Sequence, residues 1–197
     1  FLTTQFHPVG PGPSTVSSTQ PAGFTIPSTG QSIAATVTSP NITASDVTVG
    51  KDLQVSSSCN LSIAPPSAVT VTATISNSSI ATITKDPALL GGNAVTFNVV
   101  STGGMTYYIQ GIGVGTTTLT IDAPGYNTAI KTIKVDPSGF AIYTTNINTT
   151  TVSTNTDVVI KSARLSPSTG NVINYESLRA GMPTTSVTVT SSNPLVA

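Results

Sequence analysis

Covalent or metal chemistry needs reactive groups in sets, and this chain offers few of them. Its one histidine is His7, in the run FHPVGPG, and its one cysteine is Cys59, in SSSCNLS. A cysteine nucleophile needs a positioned base. The two residues sit far apart in sequence, so His7 reads as a turn residue and Cys59 as a semi-buried structural thiol. The acids are Asp46, Asp52, Asp86, Asp122, Asp136, Asp157 and Glu176. Calcium sites cluster several such oxygens on one loop, and no D-x-D-x-D spacing occurs here. Asp136 lies at a joint between strands, where a bridging calcium is conceivable, but a lone aspartate there reads as a cap or turn. Lys51, Lys131 and Lys134 could in principle form isopeptide bonds with asparagine, but the sequence places no carboxylate to catalyse them. Gly111, Gly113 and Gly115 imitate a phosphate loop, yet neither a lysine nor a helix follows, so they read as turn and bend glycines. No catalytic, cofactor-binding or metal-ligating residue is assigned.

Composition narrows the partners. Serine and threonine make up 61 of 197 residues, while charged residues are only 7%, seven of each sign. A neutral chain lacks the basic surface that nucleic acid requires and the polybasic clamp that holds a membrane surface. No run approaches the roughly 18 apolar residues of a membrane span. An extracellular or cell-surface setting, packed or glycan-coated, suits so uncharged a chain better than a soluble cytosolic one. Glycans are possible partners. The four N-x-S/T sequons, at Asn41, Asn60, Asn77 and Asn148, carry no weight, because 12 asparagines among so many hydroxyls give about that number by chance. The tract Thr144–Thr156 could carry O-linked sugar.

The elements that would position any site are strands. Short runs rich in Thr, Val and Ile recur about every ten residues between Gly, Pro, Asn and Ser, the pattern of a sandwich or barrel. The expected strands include Phe1–Phe6, Ser14–Ser18, Ile33–Val37, Leu53–Val55, Leu61–Ile63, Val69–Ile75, Val95–Val99, Thr106–Ile112, Thr116–Ile121, Ile130–Val135, Thr149–Val152 and Ser186–Thr190. Asn174–Arg179 is the best helical stretch, one turn at most. Alternation is clearest at Val69, Val71, Ala73 and Ile75, with Thr70, Thr72 and Thr74 between; period two sends the aliphatics to one face. Val71, Ala73, Ile75, Leu119, Ile121, Ile133 and Val135 should be buried with Val69. Of the adjacent Tyr107 and Tyr108, one should face the core.

The chain also repeats itself. A shift of 103 positions brings Leu2–Pro21 onto Met105–Pro124 without a gap, with Gly10, Gly12, Thr15 and Pro21 on Gly113, Gly115, Thr118 and Pro124. A shift of 116 brings VTATISNSSIA, from Val71, onto VTVTSSNPLVA, from Val187. PAGF at Pro21 also matches PSGF at Pro137, but the flanking strands agree better with Pro124. Such self-similarity marks a tandem array. Joints fall at Thr38-Ser39-Pro40 and Asp136-Pro137-Ser138, so residues 40–136 form one complete unit. Residues 1–38 resemble its back half, and residues 137–197 its front half.

The runs SNSSIATI from Ser76, YYIQGIGVGTTTLTIDAPGY from Tyr107 and IKTIKVDPSGF from Ile130 resemble bacterial immunoglobulin-like repeats of the group 2 type. SSNPLVA at Ser191 and GPGPSTVSS at Gly10 carry the same elements in the partial units. Few charges and a long insert between Thr84 and Met105 depart from that pattern. The resemblance implies immunoglobulin-like β-sandwiches in tandem, a spacer or interaction module, and no catalytic residues. The expectation is a non-enzymatic structural segment of an extracellular fibre, stalk, sheath or surface layer, with copies of itself as partners along a filament. Adhesin or carbohydrate-binding module is the alternative. Neither terminal piece is expected to fold alone.

Overall fold

The structure is a computed structural model and describes residues 3–193. It is all-β, with a two-sheet sandwich at its centre. The chain enters that sandwich through β3 (Ile42–Ala44) and β4 (Val47–Gly50), followed by β5 (Leu53–Leu61), β6 (Val69–Ile75), β7 (Ala81–Thr84) and β8 (Ala94–Val99). It closes with β9 (Met105–Gly111), β10 (Gly115–Asp122) and β11 (Ala129–Asp136). One sheet has the order β4-β11-β10-β6-β8; the facing sheet has β5-β9-β7, with β3 on the outer edge of β5. Among these strands every ladder is antiparallel except that of β4 with β11. Between β3 and β4 the chain changes sheets, and Asp46 fixes the crossing by accepting a hydrogen bond from the Thr132 amide at 2.8 Å.

Alternation builds the core. In β6, Val71 and Ala73 are fully buried and Ile75 nearly so, while Thr70 is exposed and Thr72 and Thr74 are half-buried. Leu119, Ile121, Ile133 and Val135 meet them from β10 and β11, and Leu53, Leu61, Ile83, Tyr107 and Ile109 from the opposite sheet. Of the expected core, only Val69 is half-buried, because it begins β6 at the end of the sandwich. Tyr107 is fully buried and Tyr108 half-buried, as alternation requires.

Two further pieces flank the sandwich. Before it, β1 (Gly12–Ser17) and β2 (Ser32–Val37) form an antiparallel hairpin. The hairpin opens on Gly12 opposite Val37, and in the sandwich β10 and β11 open on Gly115 opposite Val135. Both glycines take left-handed φ values, 141° and 152°, which a side chain would disfavour. The position repeated by the 103-residue shift is therefore repeated in backbone conformation and register. After the sandwich, β12 (Ser138–Ile142), β13 (Ile160–Leu165) and β14 (Val172–Tyr175) make a three-stranded meander, and β15 (Ser177–Leu178) leaves it.

Several expected elements differ. Residues 3–6 of the Phe1–Phe6 run form no strand, and Phe1 and Leu2 lie outside the described residues. Leu53–Val55 and Leu61–Ile63 are not two strands, since β5 runs unbroken from Leu53 to Leu61. Thr149–Val152 and Ser186–Thr190 are irregular. A strand exists only where its amides and carbonyls find a ladder, and in this chain those alternating residues have none beside them. Asn174–Arg179 is not a helical turn; it is split between β14 and β15. Residues 194–197, the end of the segment matched by the 116-residue shift, lie outside the described residues.

Candidate functional site: an ion-paired domain junction

The densest chemistry in the chain lies where the sandwich meets the trailing meander. β11 ends on Asp136, and Pro137 turns the chain into β12. The Pro137 carbonyl accepts the Leu165 amide at 2.8 Å, and the Asp136 carbonyl accepts the Lys51 amide at 2.8 Å. This backbone stitching buries the Asp136 side chain, leaving the residue 2% exposed. Arg164, on β13, reaches across with Nη1 at 3.2 Å from Asp136 Oδ2 and Nε at 2.8 Å from Glu176 Oε1. The second oxygen of Glu176 accepts the amide of Gly50 at 2.8 Å, at the end of β4. One carboxylate thus joins the meander to the sandwich backbone. Lys134 Nζ stands 2.9 Å from Asp136 Oδ1. That contact is ionic: Oδ1 accepts no hydrogen bond from the described residues.

A second clasp lies one residue pair further on. β15 adds to the free edge of β5, with Ser177 opposite Gln54 and Leu178 opposite Leu53. β3 occupies the other end of the same edge. Arg179 then donates its amide to the Asp52 carbonyl at 3.1 Å and its guanidinium to Asp52 Oδ1 at 2.9 Å. Asp52 sits at φ 61°, a left-handed turn that aspartate tolerates better than most residues. Its amide bonds the Gly111 carbonyl at 2.9 Å. A Cβ on Gly111 would run into the carbonyl of Gly50, so the approach of β9 to the β4–β5 turn requires glycine. The Ser138 hydroxyl donates to the Lys51 carbonyl, closing the joint from the other side.

Burial acts first on Arg164 and would lower its pKa, but the hydrogen bonds it donates to Glu176 and Asp136, with their charges, outweigh it and hold the pKa above the usual value. The guanidinium is the right cation for this place. Its planar fork serves two carboxylates at once, which an ammonium point charge does poorly. Lys134, Asp136, Arg164, Glu176, Arg179 and Asp52 include both arginines and the only glutamate of the chain. That was the available signal: where charges are so scarce, an Arg/Glu pair flanking a joint aspartate is a candidate structural network. Local sequence places only Asp136 at the joint, because Arg164 and Glu176 lie far along the chain.

The other residues named from sequence do not converge. His7 is exposed. Cys59 is fully buried, and burial pushes its thiol up to about 11, so it is a poor nucleophile. Tyr107 is also raised, chiefly by burial, against a lowering contact from Ser57 and with a further push from Cys59. Among the described residues no three His, Cys, Asp or Glu side chains gather as metal ligands. At Asp136, the position considered for calcium, guanidinium and ammonium already supply the positive charge. Of the lysines weighed for cross-links, Lys134 is in the junction, Lys51 is exposed and Lys131 half-buried. Residues 144–156 are irregular and almost wholly exposed. Among the described residues no helix is long and apolar enough to cross a membrane.

No family model and no curated protein matches the chain. Several solved structures resemble it distantly, two of which follow. One is "Crystal structure of the S-layer protein SbsC domains 4 and 5", at TM-score 0.34 and 20% identity, covering 53% of this chain and 58% of that one. The other is "Structure of surface layer protein SbsC, domains 4-9", at TM-score 0.37 and 17% identity, covering 74% of this chain and 23% of that one. The chain thus spans less than two thirds of either. Superposition scores this low establish no shared topology.

Proposed function

We propose that this chain is a structural segment of an extracellular or cell-surface array, a fibre, stalk, sheath or surface layer, in which immunoglobulin-like sandwiches follow one another head to tail. In this reading the group 2 resemblance describes each unit. Residues 40–136 are one unit, residues 1–38 the closing part of the unit before, and residues 137–197 the opening part of the next. The observation that carries the reading is the junction. A flexible tether would need only Pro137; here the following piece adds a strand to the edge of β5 and buries Glu176 and Asp136 around Arg164. Such a joint fixes the angle between successive units, which a spacer or lattice needs and an enzyme or free binding domain does not.

The alternative, a carbohydrate-binding or adhesin module, has one observation in its favour. Phe140, Tyr143 and Tyr175 are partly exposed on the trailing meander. However, Lys161 Nζ lies 3.5 Å from the Tyr143 ring centre and 5.8 Å from that of Tyr175, occupying faces on which a sugar would stack. Two measurements test the proposal. Small-angle scattering should give one fixed angle between the sandwich and the meander. A glycan array probed with the whole chain should show no selective binding. A broad distribution of angles, or strong selective binding of one glycan class, overturns the structural reading.

A further inference from the structure

We infer that copies join head to tail, residues 188–191 of one pairing with residues 16–19 of the next, the end of β1 and the two residues after it. The inference rests on the array reading and specifies its contact. It starts from the hairpin of β1 and β2, which matches that of β10 and β11 in register and in the left-handed glycine at its opening. In the sandwich the other edge of β10 is filled by β6. The hairpin of β1 and β2 is a two-stranded sheet, so among the described residues the equivalent edge of β1 carries no strand. Two strands alone are marginal in water.

The strand that would fill that edge is present elsewhere in the chain. Residues 187–192, VTVTSS, repeat residues 71–76, VTATIS, the greater part of β6. They lie outside any strand, with Val187 and Val189 43% and 53% exposed. The central ladder then fixes the register. Leu119 faces Ile75, Thr120 faces Thr74, Ile121 faces Ala73 and Asp122 faces Thr72. Carried through the two repeat shifts, Val16 faces Ser191, Ser17 faces Thr190, Ser18 faces Val189 and Thr19 faces Thr188. The end of the ladder is reproduced too. Ser76 Oγ lies 2.9 Å from Thr117 Oγ1 and accepts the Thr118 amide at 3.2 Å. The equivalents are Ser192, Ser14 and Thr15, hydroxyl residues throughout. Residues 1–45 and 180–197 carry no Asp, Glu, Lys or Arg, so no charge on either segment opposes the approach. The contact would reproduce the β6–β10 pairing that the molecule already contains.

The test uses two single variants of the full chain, S17C and T190C, mixed and mildly oxidised. Both positions correspond to half-buried threonines of the central ladder, so the substitutions spare the core. Directly opposed antiparallel residues are about 4.5–5.5 Å apart at Cα, within disulfide reach. Slipping by two residues adds about 6.8 Å along the strand and should cut the yield at least about tenfold. The expected result is a mixed dimer from S17C with T190C, and little from S17C with T188C. Cys59 is buried and does not compete. Sedimentation of the unmodified chain should show mass rising with concentration, and Val189→Asp should abolish the rise. Equal yields for the two pairs, an unmodified chain that stays monomeric at every concentration, or an S17C/T190C double variant that closes on itself as a monomer would each overturn the inference. These readouts are separate from the scattering and glycan measurements, so failure of this contact is told apart from failure of the array reading.

Discussion

Glu176→Ala is the sharpest perturbation of the junction. The Glu176 side chain is 2% exposed, and its two oxygens hold the Gly50 amide and Arg164 Nε, each at 2.8 Å. Alanine leaves a buried amide without a partner, which alone costs about 1–3 kcal/mol. It also leaves Arg164, whose side chain is only 16% exposed, with Asp136 as its remaining carboxylate. Breaking a buried pair by removing one member typically costs about 3–5 kcal/mol in all. At about 1.4 kcal/mol per factor of ten, the docked state should lose between about two and four powers of ten in population relative to the undocked one. Hydrogen exchange reads this directly. The Arg179 amide, bonded to Asp52 across the joint, and the Gly50 amide should lose protection by that factor. The amides of Val71 and Leu119 in the core should change far less. Glu176→Gln keeps the shape but turns a donor toward one of its two donor partners, so it should fall between alanine and the unmodified chain. If Glu176→Ala changes protection at Gly50 and Arg179 by less than tenfold, the network does not hold the joint, and the reasoning from burial is wrong.

Other predictions concern the sandwich. Val71→Asp, at a fully buried position, should remove about 1.5–3 kcal/mol of burial and add a charge with no partner, unfolding the domain, whereas Thr70→Asp, on the exposed face, should be tolerated; urea titration distinguishes them, and equal effects would show the register to be misread. Gly111→Ala should destabilise by clash with the Gly50 carbonyl, lowering the thermal midpoint, while alanine at Gly92, where nothing lies within 4 Å of a Cβ, should not. Cys59 carries a raised acid pKa, so folding favours its thiol form. Its contribution is intact below the ordinary thiol value of 9.0 and is lost as pH climbs toward about 11. Stability should therefore fall across that window with a Cys59-dependent slope of up to about 1.4 kcal/mol per pH unit. Cys59→Ala should flatten that slope in alkaline urea titrations.

How much of this was legible in the sequence depended on how local the deciding interactions are. The core of β6, β10 and β11 could be read because a strand's two faces follow from backbone geometry alone, and Val71, Ala73, Leu119 and Ile133 alternate accordingly. The joint at Asp136-Pro137 could be read because proline acts on its own neighbours. The self-similarity could be read because turn glycines carry it, and the shared register of Gly12 and Gly115 is its physical content. The tertiary structure decided the rest. The sequence Val187-Thr188-Val189-Thr190 alternates as well as β6 does, yet it is irregular here, because a strand is defined by a partner as much as by its own pattern. The two residues of β15, too few to show any period, form a strand because the edge of β5 is beside them. Arg164, Glu176 and Asp136 belong to one network through folding alone: periodicity says which way a side chain faces, and only the packed sheets say what it meets.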